Sequence, residues 1–186
     1  MTNDPTRSDS IFNKIQIIPK GITDIPADCV VNAANEGLWE GGGVCGAIFR
    51  AAGSPALTKA CQAIGHCDTG KAVITPAFRL PAKYIIHAVG PRYSDGRHGE
   101  PKLLYGAYRS SLELAMQYDC HSIVFPVISS GIFGYPQDAA WKKAIQACAE
   151  FLAENPDYDL NIMFAVLNDH MIRLGQKAIA EVKASM

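Results

Sequence analysis

The alternation of two kinds of segment constrains the fold of this chain more than any other feature. Short apolar runs suited to buried strands occur at residues 15–18, 29–31, 72–75, 84–89, 122–128 and 160–167. Segments with helical periodicity or helix-boundary residues occur at 44–52, 54–64, 103–118, 136–153 and 169–183. Strands that alternate with helices predict an α/β fold, a three-layer α/β/α sandwich around a mixed, mostly parallel sheet.

Length and composition favour one compact domain. The chain has 186 residues, of which 48% are hydrophobic and 19% charged, so it has enough apolar side chains for a substantial core. We predict a single domain over residues 13–186. Residues 1–12 are largely polar and include Asp4 and Arg7, which predicts a mobile N-terminus.

Several classes of partner are disfavoured. The formal net charge is −1 and no cluster of lysine and arginine stands out, which argues against an extended nucleic-acid surface. No apolar run approaches the roughly 20 residues of a transmembrane helix, so we expect no membrane association. The six cysteines form no CxxC pair, which is typical of free thiols in a reducing cytoplasm. The adjacent His66 and Cys67 lack a second ligand pair, and we predict neither a metal site nor a cofactor.

Two glycine-rich stretches each lie between a predicted strand and a predicted helix. The first, residues 32–46, contains the consecutive Gly41, Gly42 and Gly43, and the second is residues 129–136. Loops at the carboxyl ends of parallel strands form the ligand crevice of open α/β sheets, and helix N-termini bind anions. If the two strands run parallel, the loops face each other and are suited to clamp a diphosphate. The alternative is that each loop is an ordinary tight connection.

These stretches carry a family resemblance. The sequence resembles macro domains at residues 31–35 (VNAAN), 41–44 (GGGV), 46–53, 69–70, 80–84, 86–91, 125–126 and 130–136 (SGIFGYP), over about residues 15–167. It is most similar to the branch that removes ADP-ribose from protein carboxylates and deacetylates O-acetyl-ADP-ribose. The resemblance implies binding of ADP-ribose, or of a protein or small molecule that carries it, and hydrolysis at the distal ribose by a positioned water.

The resemblance also implies roles for individual residues. Asn35 would contact the distal ribose and help to place the water, and Phe133 would pack on that ribose. The implied ligand-binding residues are Ile22, Asn35, Gly41, Gly42, Gly43, Val44, Cys45, Gly46, Ser129, Ser130, Gly131, Ile132 and Phe133. Of these, Asn35 and Cys45 are the candidate catalytic residues.

Two positions depart from the family pattern. Cys45 stands where the branch has an aspartate, and its thiol is either a participant in catalysis or a small neutral residue packed in the cleft. Gly21 stands where family members have the aspartate that holds the adenine amino group. Asp24 lies three positions further on, and a backbone contact from Ile22 would compensate in part.

Other functions and roles stay open at this point. A noncatalytic ADP-ribose reader and a phosphatase acting on ADP-ribose 1″-phosphate are the alternatives to the hydrolase. His87, in an apolar strand, is interpreted as a core histidine. Trp39 either covers a ligand or caps the core. Asp169, which follows Asn168, is interpreted as the N-cap of the last helix, and Ser54, before Pro55, as the N-cap of the helix at 54–64.

Overall fold

The computed structural model describes residues 5–186, with the backbone only for Pro5. In chain order the elements are α1 (Pro5–Phe12), β1 (Ile15–Ile18), a 3-10 helix (Ile22–Asp24), β2 (Cys29–Ala33), α2 (Gly43–Ala52), α3 (Ser54–Ile64), β3 (Ala72–Pro76), β4 (Tyr84–Ala88), α4 (Glu100–Gln117), β5 (Ser122–Phe125), α5 (Gln137–Glu154), β6 (Asn161–Ala165) and α6 (Asp169–Ser185). All the strands and helices predicted from the sequence form, and their ends differ by a few residues. Strand β5 ends at Phe125, earlier than predicted, because Pro126 lacks an N–H group for the strand ladder.

The six strands form one sheet in the order β1-β6-β5-β2-β4-β3. All neighbouring pairs are parallel except β3 with β4. Successive residues of each strand face opposite sides of the sheet, so Val31 joins the core under α1, α4, α5 and α6, while Val30 joins the core under α2 and α3. Helices therefore cover both faces, which confirms the predicted three-layer sandwich.

The N-terminal segment differs from the expectation. Residues 5–12, predicted to be mobile, form α1, because Ile11 and Phe12 give this short polar segment an apolar end that is buried in the larger core. Arg7 donates a hydrogen bond from its guanidinium to the carbonyl oxygen of Ala153, and the Asp9 carboxylate lies 2.6 Å from Lys183 Nζ. The rest of that prediction, residues 1–4, lies outside the described residues.

Two helix caps also differ from the sequence interpretation. Asn168, and not Asp169, caps α6, because its Oδ1 accepts a hydrogen bond from the Met171 N–H at 3.1 Å while Asp169 is already helical. Ser54 does not cap α3 either. Its hydroxyl donates to Glu40 Oε1 at 2.9 Å and so links α3 to the loop after β2.

The topology brings two loops to one edge of the sheet. Strands β2 and β5 are parallel neighbours, so the chain leaves both at the same edge. From there it passes into α2 on one face of the sheet and into α5 on the other face. Where the connections that follow two adjacent parallel strands pass to opposite faces of the sheet, a crevice forms between these connections. In the described part of the chain, no helix is long and apolar enough to span a membrane.

Candidate functional site

The predicted site residues lie at this edge of the sheet, which we call the cleft edge. Most belong to two loops: the β2–α2 loop, residues 34–42, which continues into the first turn of α2, and the β5–α5 loop, residues 126–136. Ile22 lies in the 3-10 helix after β1, whose carboxyl end reaches the same edge because β1, β6 and β5 are parallel. The structure thus brings together the two glycine-rich stretches that the sequence singles out.

Unpaired backbone donors collect at the start of α2. Helix termini leave their first N–H groups without partners inside the helix. Here the Gly46 N–H donates to the Gly42 carbonyl oxygen at 3.3 Å. The N–H groups of Gly42, Gly43 and Val44 have no acceptor among the described residues. This end of α2 offers several donors together with the positive end of the helix dipole.

The β5–α5 loop offers a second set of donors. Its internal hydrogen bonds join the Gly134 N–H to the Gly131 carbonyl oxygen at 3.0 Å and the Tyr135 N–H to the Ser129 carbonyl oxygen at 2.9 Å. Within residues 5–186, the N–H groups of Gly131, Ile132 and Phe133 have no acceptor. Ile132 is 97% exposed, so its side chain does little to hold the tip of this loop. Successive free N–H groups of this kind are suited to bind an anion.

Two of the loop glycines have no role in the packing of the chain. A Cβ atom at Gly42 or Gly131 would meet no atom within 4 Å, and neither residue has a positive φ. By contrast, Gly43 and Gly134 have φ of 56° and 73°, which L side chains rarely adopt. Gly46 is needed for packing, because its Cβ would lie 2.7 Å from the Gly41 carbonyl oxygen. The absent side chains of Gly42 and Gly131 keep open a space that the fold itself does not fill.

Backbone strain also concentrates in these loops. Leu38, in the β2–α2 loop, has φ 57°, and Ser129, in the β5–α5 loop, has φ 66°. Such conformations cost about 1–3 kcal/mol for residues other than glycine. Ser129 is packed so closely on Gly90, two residues after β4, that a Cβ at Gly90 would lie 2.3 Å from the Ser129 hydroxyl oxygen. The loop shapes are therefore enforced by their neighbours.

Asn35 is held by the backbone of Trp39. Its Nδ2 donates to the Trp39 carbonyl oxygen at 2.9 Å, and its Oδ1 accepts from the Trp39 N–H at 3.1 Å. A side-chain amide has two N–H groups and two lone pairs on oxygen. These contacts leave one N–H and one lone pair of Asn35 for a ligand, in an orientation that the loop fixes.

The Cys45 thiol, in the first turn of α2, forms hydrogen bonds with the same loop. Its Sγ accepts from the Gly41 N–H at 3.4 Å and from Asn32 Nδ2 at 3.6 Å, and it lies 3.9 Å from the Trp39 carbonyl oxygen, to which the S–H donates. The side chain is buried. These contacts favour the interpretation of Cys45 as a small packed residue that ties the loop to α2.

Behind Cys45 lies a buried polar chain that the sequence interpretation missed. Asn32 Nδ2 lies 3.2 Å from His87 Nδ1, and His87 Nε2 lies 2.9 Å from the Thr75 hydroxyl. A neutral imidazole fits this arrangement, accepting at Nδ1 and donating at Nε2. Burial lowers the pKa of His87 to about 4, which keeps it neutral, and confirms the interpretation of a core histidine. Asn32 was missed because an asparagine in an apolar strand gives no sign of its partners on other strands.

A third segment, after β4, supports the β5–α5 loop. The Tyr93 N–H donates to the Phe133 carbonyl oxygen at 2.9 Å, and the Arg92 guanidinium lies 4.6 Å from the centre of the Phe133 ring. The Tyr93 and Tyr135 rings are 4.8 Å apart. The sequence interpretation missed these supports, because only the position of β4 beside β2 brings them to the cleft edge.

Near Ile22, the acidic side chain of Asp24 takes up the space beside Gly21. An ideal Cβ at Gly21 would lie 3.0 Å from Asp24 Oδ2. Asp24 is exposed, and its carboxylate has no hydrogen bond or ion pair with the other described residues. A free carboxylate therefore stands where a side chain at position 21 would begin.

The side chains of the adjacent His66 and Cys67 lie in different environments. The His66 imidazole is exposed and lies 2.7 Å from Asp68 and 3.9 Å from Glu36. The Cys67 thiol is buried, and burial raises its pKa to about 11, so the thiol is protonated at neutral pH.

Comparison with known proteins agrees with this geometry. The family model described as "Macro domain" matches residues 31–144. A macro domain-containing protein of Chlorobaculum tepidum is 46% identical over 166 residues, which cover 89% of this chain and 95% of the relative. The chain belongs to the macro domain family. Another relative, named O-acetyl-ADP-ribose deacetylase, from Citrobacter rodentium, is 43% identical over 173 residues, or 91% of this chain and 97% of the relative.

Solved macro domain structures share the whole fold. A macrodomain of Oceanobacillus iheyensis with ADP superposes with a TM-score of 0.86 at 37% identity, covering 91% of this macro domain and 92% of that chain. A Trypanosoma brucei macrodomain in complex with ADP-ribose gives a TM-score of 0.85 at 35% identity, covering 95% of this chain and 72% of that one.

Proposed function

We propose that this macro domain binds ADP-ribose at the cleft edge and hydrolyses ADP-ribosyl adducts at the distal ribose, such as protein mono-ADP-ribose esters and O-acetyl-ADP-ribose. The observation that carries the proposal is a pair of unpaired N–H sets, at Gly42 to Val44 and at Gly131 to Phe133, in the connections that follow two adjacent parallel strands. A diphosphate needs donors on two sides, and backbone donors supply them without added positive charge. The names and ligands of the related proteins support the same ligand class.

In this arrangement the diphosphate lies between the two loops. The distal ribose lies against Asn35 and the start of α2, with Phe133 packed on it, and the base end extends towards β1 and Ile22. Two contacts help to position Phe133: the Arg92 guanidinium lies 4.6 Å from the centre of its ring, and the Tyr93 N–H donates to its carbonyl oxygen.

The reaction is ester hydrolysis by a positioned water. The water adds to the ester carbonyl carbon, the bond from that carbon to the ribose oxygen breaks, and the products are a carboxylic acid and the free ribose hydroxyl. The spare N–H and lone pair of Asn35 orient the water together with a ligand phosphate. The contribution of the protein is orientation and electrostatics, and no metal or organic cofactor is required. The free, buried thiols suit a reducing compartment such as the cytoplasm.

Calorimetry with ADP-ribose, AMP and ribose 5-phosphate, combined with an assay of ADP-ribose release from O-acetyl-ADP-ribose, tests the proposal. We expect ADP-ribose to bind more tightly than either fragment. Asn35→Ala should reduce turnover by roughly 100-fold, the usual loss for one positioned polar group, and should weaken ADP-ribose binding by a much smaller factor. Cys45→Ala, at a neighbouring position, should turn over at the wild-type rate. Absence of ADP-ribose binding would refute the proposal as a whole.

A noncatalytic reader is the second candidate, and the packed state of Cys45 favours it. A thiol engaged with Gly41, Asn32 and Trp39 contributes no carboxylate at the position where the hydrolase branch has one. A reader shows a ligand-dependent rise in Tm without release of ADP-ribose from either substrate class. That pair of results would replace the hydrolase with the reader.

A further inference from the structure

Trp39 is an exposed aromatic residue beside the candidate reaction centre. Its side chain is 63% exposed, whereas Trp141, the other tryptophan of the chain, is fully buried. Trp39 therefore does not cap the core. Tryptophan is the side chain with most apolar area to bury, so its exposure on an ordered loop calls for an explanation.

Three hydrogen bonds hold the Trp39 backbone. It exchanges two hydrogen bonds with the Asn35 amide, and its carbonyl oxygen accepts from the Cys45 thiol. The indole lies on the backbone of Gly37, where a Cβ would lie 2.5 Å from Trp39 Cδ1. The fixed backbone and the contact with Gly37 restrict the positions of the ring before any ligand binds, which limits the conformational entropy lost when it makes a contact.

We propose that the Trp39 indole binds the peptide segment next to the ester when the substrate is an ADP-ribosylated protein. The proposal rests on the function proposed above. Free ADP-ribose ends at the distal ribose, which Asn35 contacts, and the residue that holds Asn35 also presents the indole on the exposed side. In the proposed pose, a group attached to that ribose leaves the cleft on this side. An indole offers a flat apolar face and one N–H donor, which match the planar amides and aliphatic stems of a peptide.

Trp39 would contribute differently to the binding of two classes of substrate. An acetyl group is too small to cover an indole, so Trp39 contributes little to the binding of O-acetyl-ADP-ribose. A peptide covers the ring. Trp39 thus determines specificity for protein-linked ADP-ribose without contributing to the binding of ADP-ribose itself.

The test measures equilibrium binding of two ligands, ADP-ribose and a peptide that carries ADP-ribose through a linkage resistant to hydrolysis. The proteins are wild type, Trp39→Ala, Trp39→Phe and, as a matched control, Phe78→Ala, which removes an exposed aromatic side chain outside both cleft loops. We expect wild type to bind the peptide adduct about tenfold more tightly than ADP-ribose, a gain typical of one aromatic contact at an interface. Trp39→Ala should remove that gain and change the affinity for ADP-ribose less than about twofold. Trp39→Phe should keep part of the gain, and the control should keep all of it.

The outcomes distinguish the two proposals. If wild type binds neither ligand, the proposed function fails and the inference fails with it. If both ligands bind and Trp39→Ala keeps the wild-type affinity ratio, or if wild type shows no gain for the peptide adduct, only the inference is overturned. Tryptophan emission gives an independent readout, because Trp39 is the exposed tryptophan: the peptide adduct should change the emission of wild type and not that of Trp39→Phe.

Discussion

Among single residues, Gly21 and Asp24 form the pair whose geometry has the most direct consequence. The free Asp24 carboxylate lies within 3.0 Å of the place where a side chain at position 21 would begin. An ionised carboxylate is an acceptor only, and adenine presents an amino group whereas hypoxanthine presents a carbonyl oxygen in its place. Asp24 is thus suited to favour adenine if the base end of the ligand lies near Ile22.

We predict that Asp24→Ala lowers the preference for ADP-ribose over its hypoxanthine analogue by about tenfold, the value of one charge-assisted hydrogen bond. The double variant Gly21→Asp with Asp24→Ala should restore it. Position 21 has φ −64° and ψ 145°, which any residue adopts, and removal of the Asp24 carboxylate makes room for the new side chain. Calorimetry with both ligands measures the ratio. An unchanged preference in Asp24→Ala would show that the base does not contact this carboxylate.

The roles of single side chains were also the features that the sequence predicted least reliably. Ser54 and Asp169 both have side chains typical of helix caps, yet Ser54 bonds Glu40 and Asn168 provides the cap of α6. Neighbouring residues with similar capping propensities differ only in backbone conformation, which the sequence does not specify. Trp39 illustrates the same limit, because its exposure depends on the path of the β2–α2 loop.

At the scale of elements, the strands and helices were predictable because their apolar periodicities are strong. Helix α1 was not, because only Ile11 and Phe12 mark its buried end and the segment is otherwise polar. The two glycine-rich loops were predictable as connections between strands and helices. The sequence does not show which of their glycines serve the fold and which leave open space, since this depends on φ and on neighbouring atoms.

That difference between the glycines leads to a prediction with matched pairs in both loops. Gly42→Ala and Gly131→Ala should change the free energy of unfolding by less than about 1 kcal/mol, because both positions have ordinary φ and open space. They should weaken ADP-ribose binding at least tenfold, because the new methyl group enters the space kept for the ligand. Gly43→Ala and Gly134→Ala should lose about 1 kcal/mol or more of stability through their positive φ.

Urea unfolding and calorimetry on the four variants separate the two effects. If Gly42→Ala and Gly131→Ala both bind ADP-ribose as wild type does, the diphosphate does not lie between the loops. If they unfold as readily as the positive-φ variants, the open space at these positions is needed by the chain itself.

At the scale of the whole molecule, the sandwich was predictable and the strand order was not. The alternation of elements gives the class of fold, but the adjacency of β2 and β5 joins segments about 90 residues apart in sequence. The site depends on that adjacency. The same holds for the buried chain that joins Cys45, Asn32, His87 and Thr75, whose members come from α2 and three strands and meet only in the folded sheet.

The buried polar chain that contains His87 makes the stability of the whole molecule depend on pH. Burial lowers the pKa of His87 from 6.5 to about 4, so the unfolded state binds a proton that the folded state excludes between these values. Stability is complete above pH 6.5 and falls as the pH is lowered through this window. By pH 4.5 the loss from His87 should reach about 2–3 kcal/mol. Glu100 affects stability at a lower pH than His87 does. Burial raises the pKa of Glu100, but hydrogen bonds from backbone N–H groups, chiefly of Ser94 and Gly96, outweigh burial and lower this pKa to about 2.

Urea unfolding of wild type and His87→Gln at pH 7.0, 5.5 and 4.5 tests this assignment. Glutamine keeps a donor and an acceptor near Asn32 and Thr75 but takes up no proton, so the variant should lose less stability than wild type across the window even if it begins less stable. His121 acts in the opposite direction in both proteins, because the Asp159 carbonyl oxygen and the Asp119 carboxylate raise its pKa. Its contribution is greatest at low pH and cancels in the comparison. Parallel losses in wild type and variant would show that His87 takes up its proton in the folded state, which requires the buried chain behind Cys45 to be open to water.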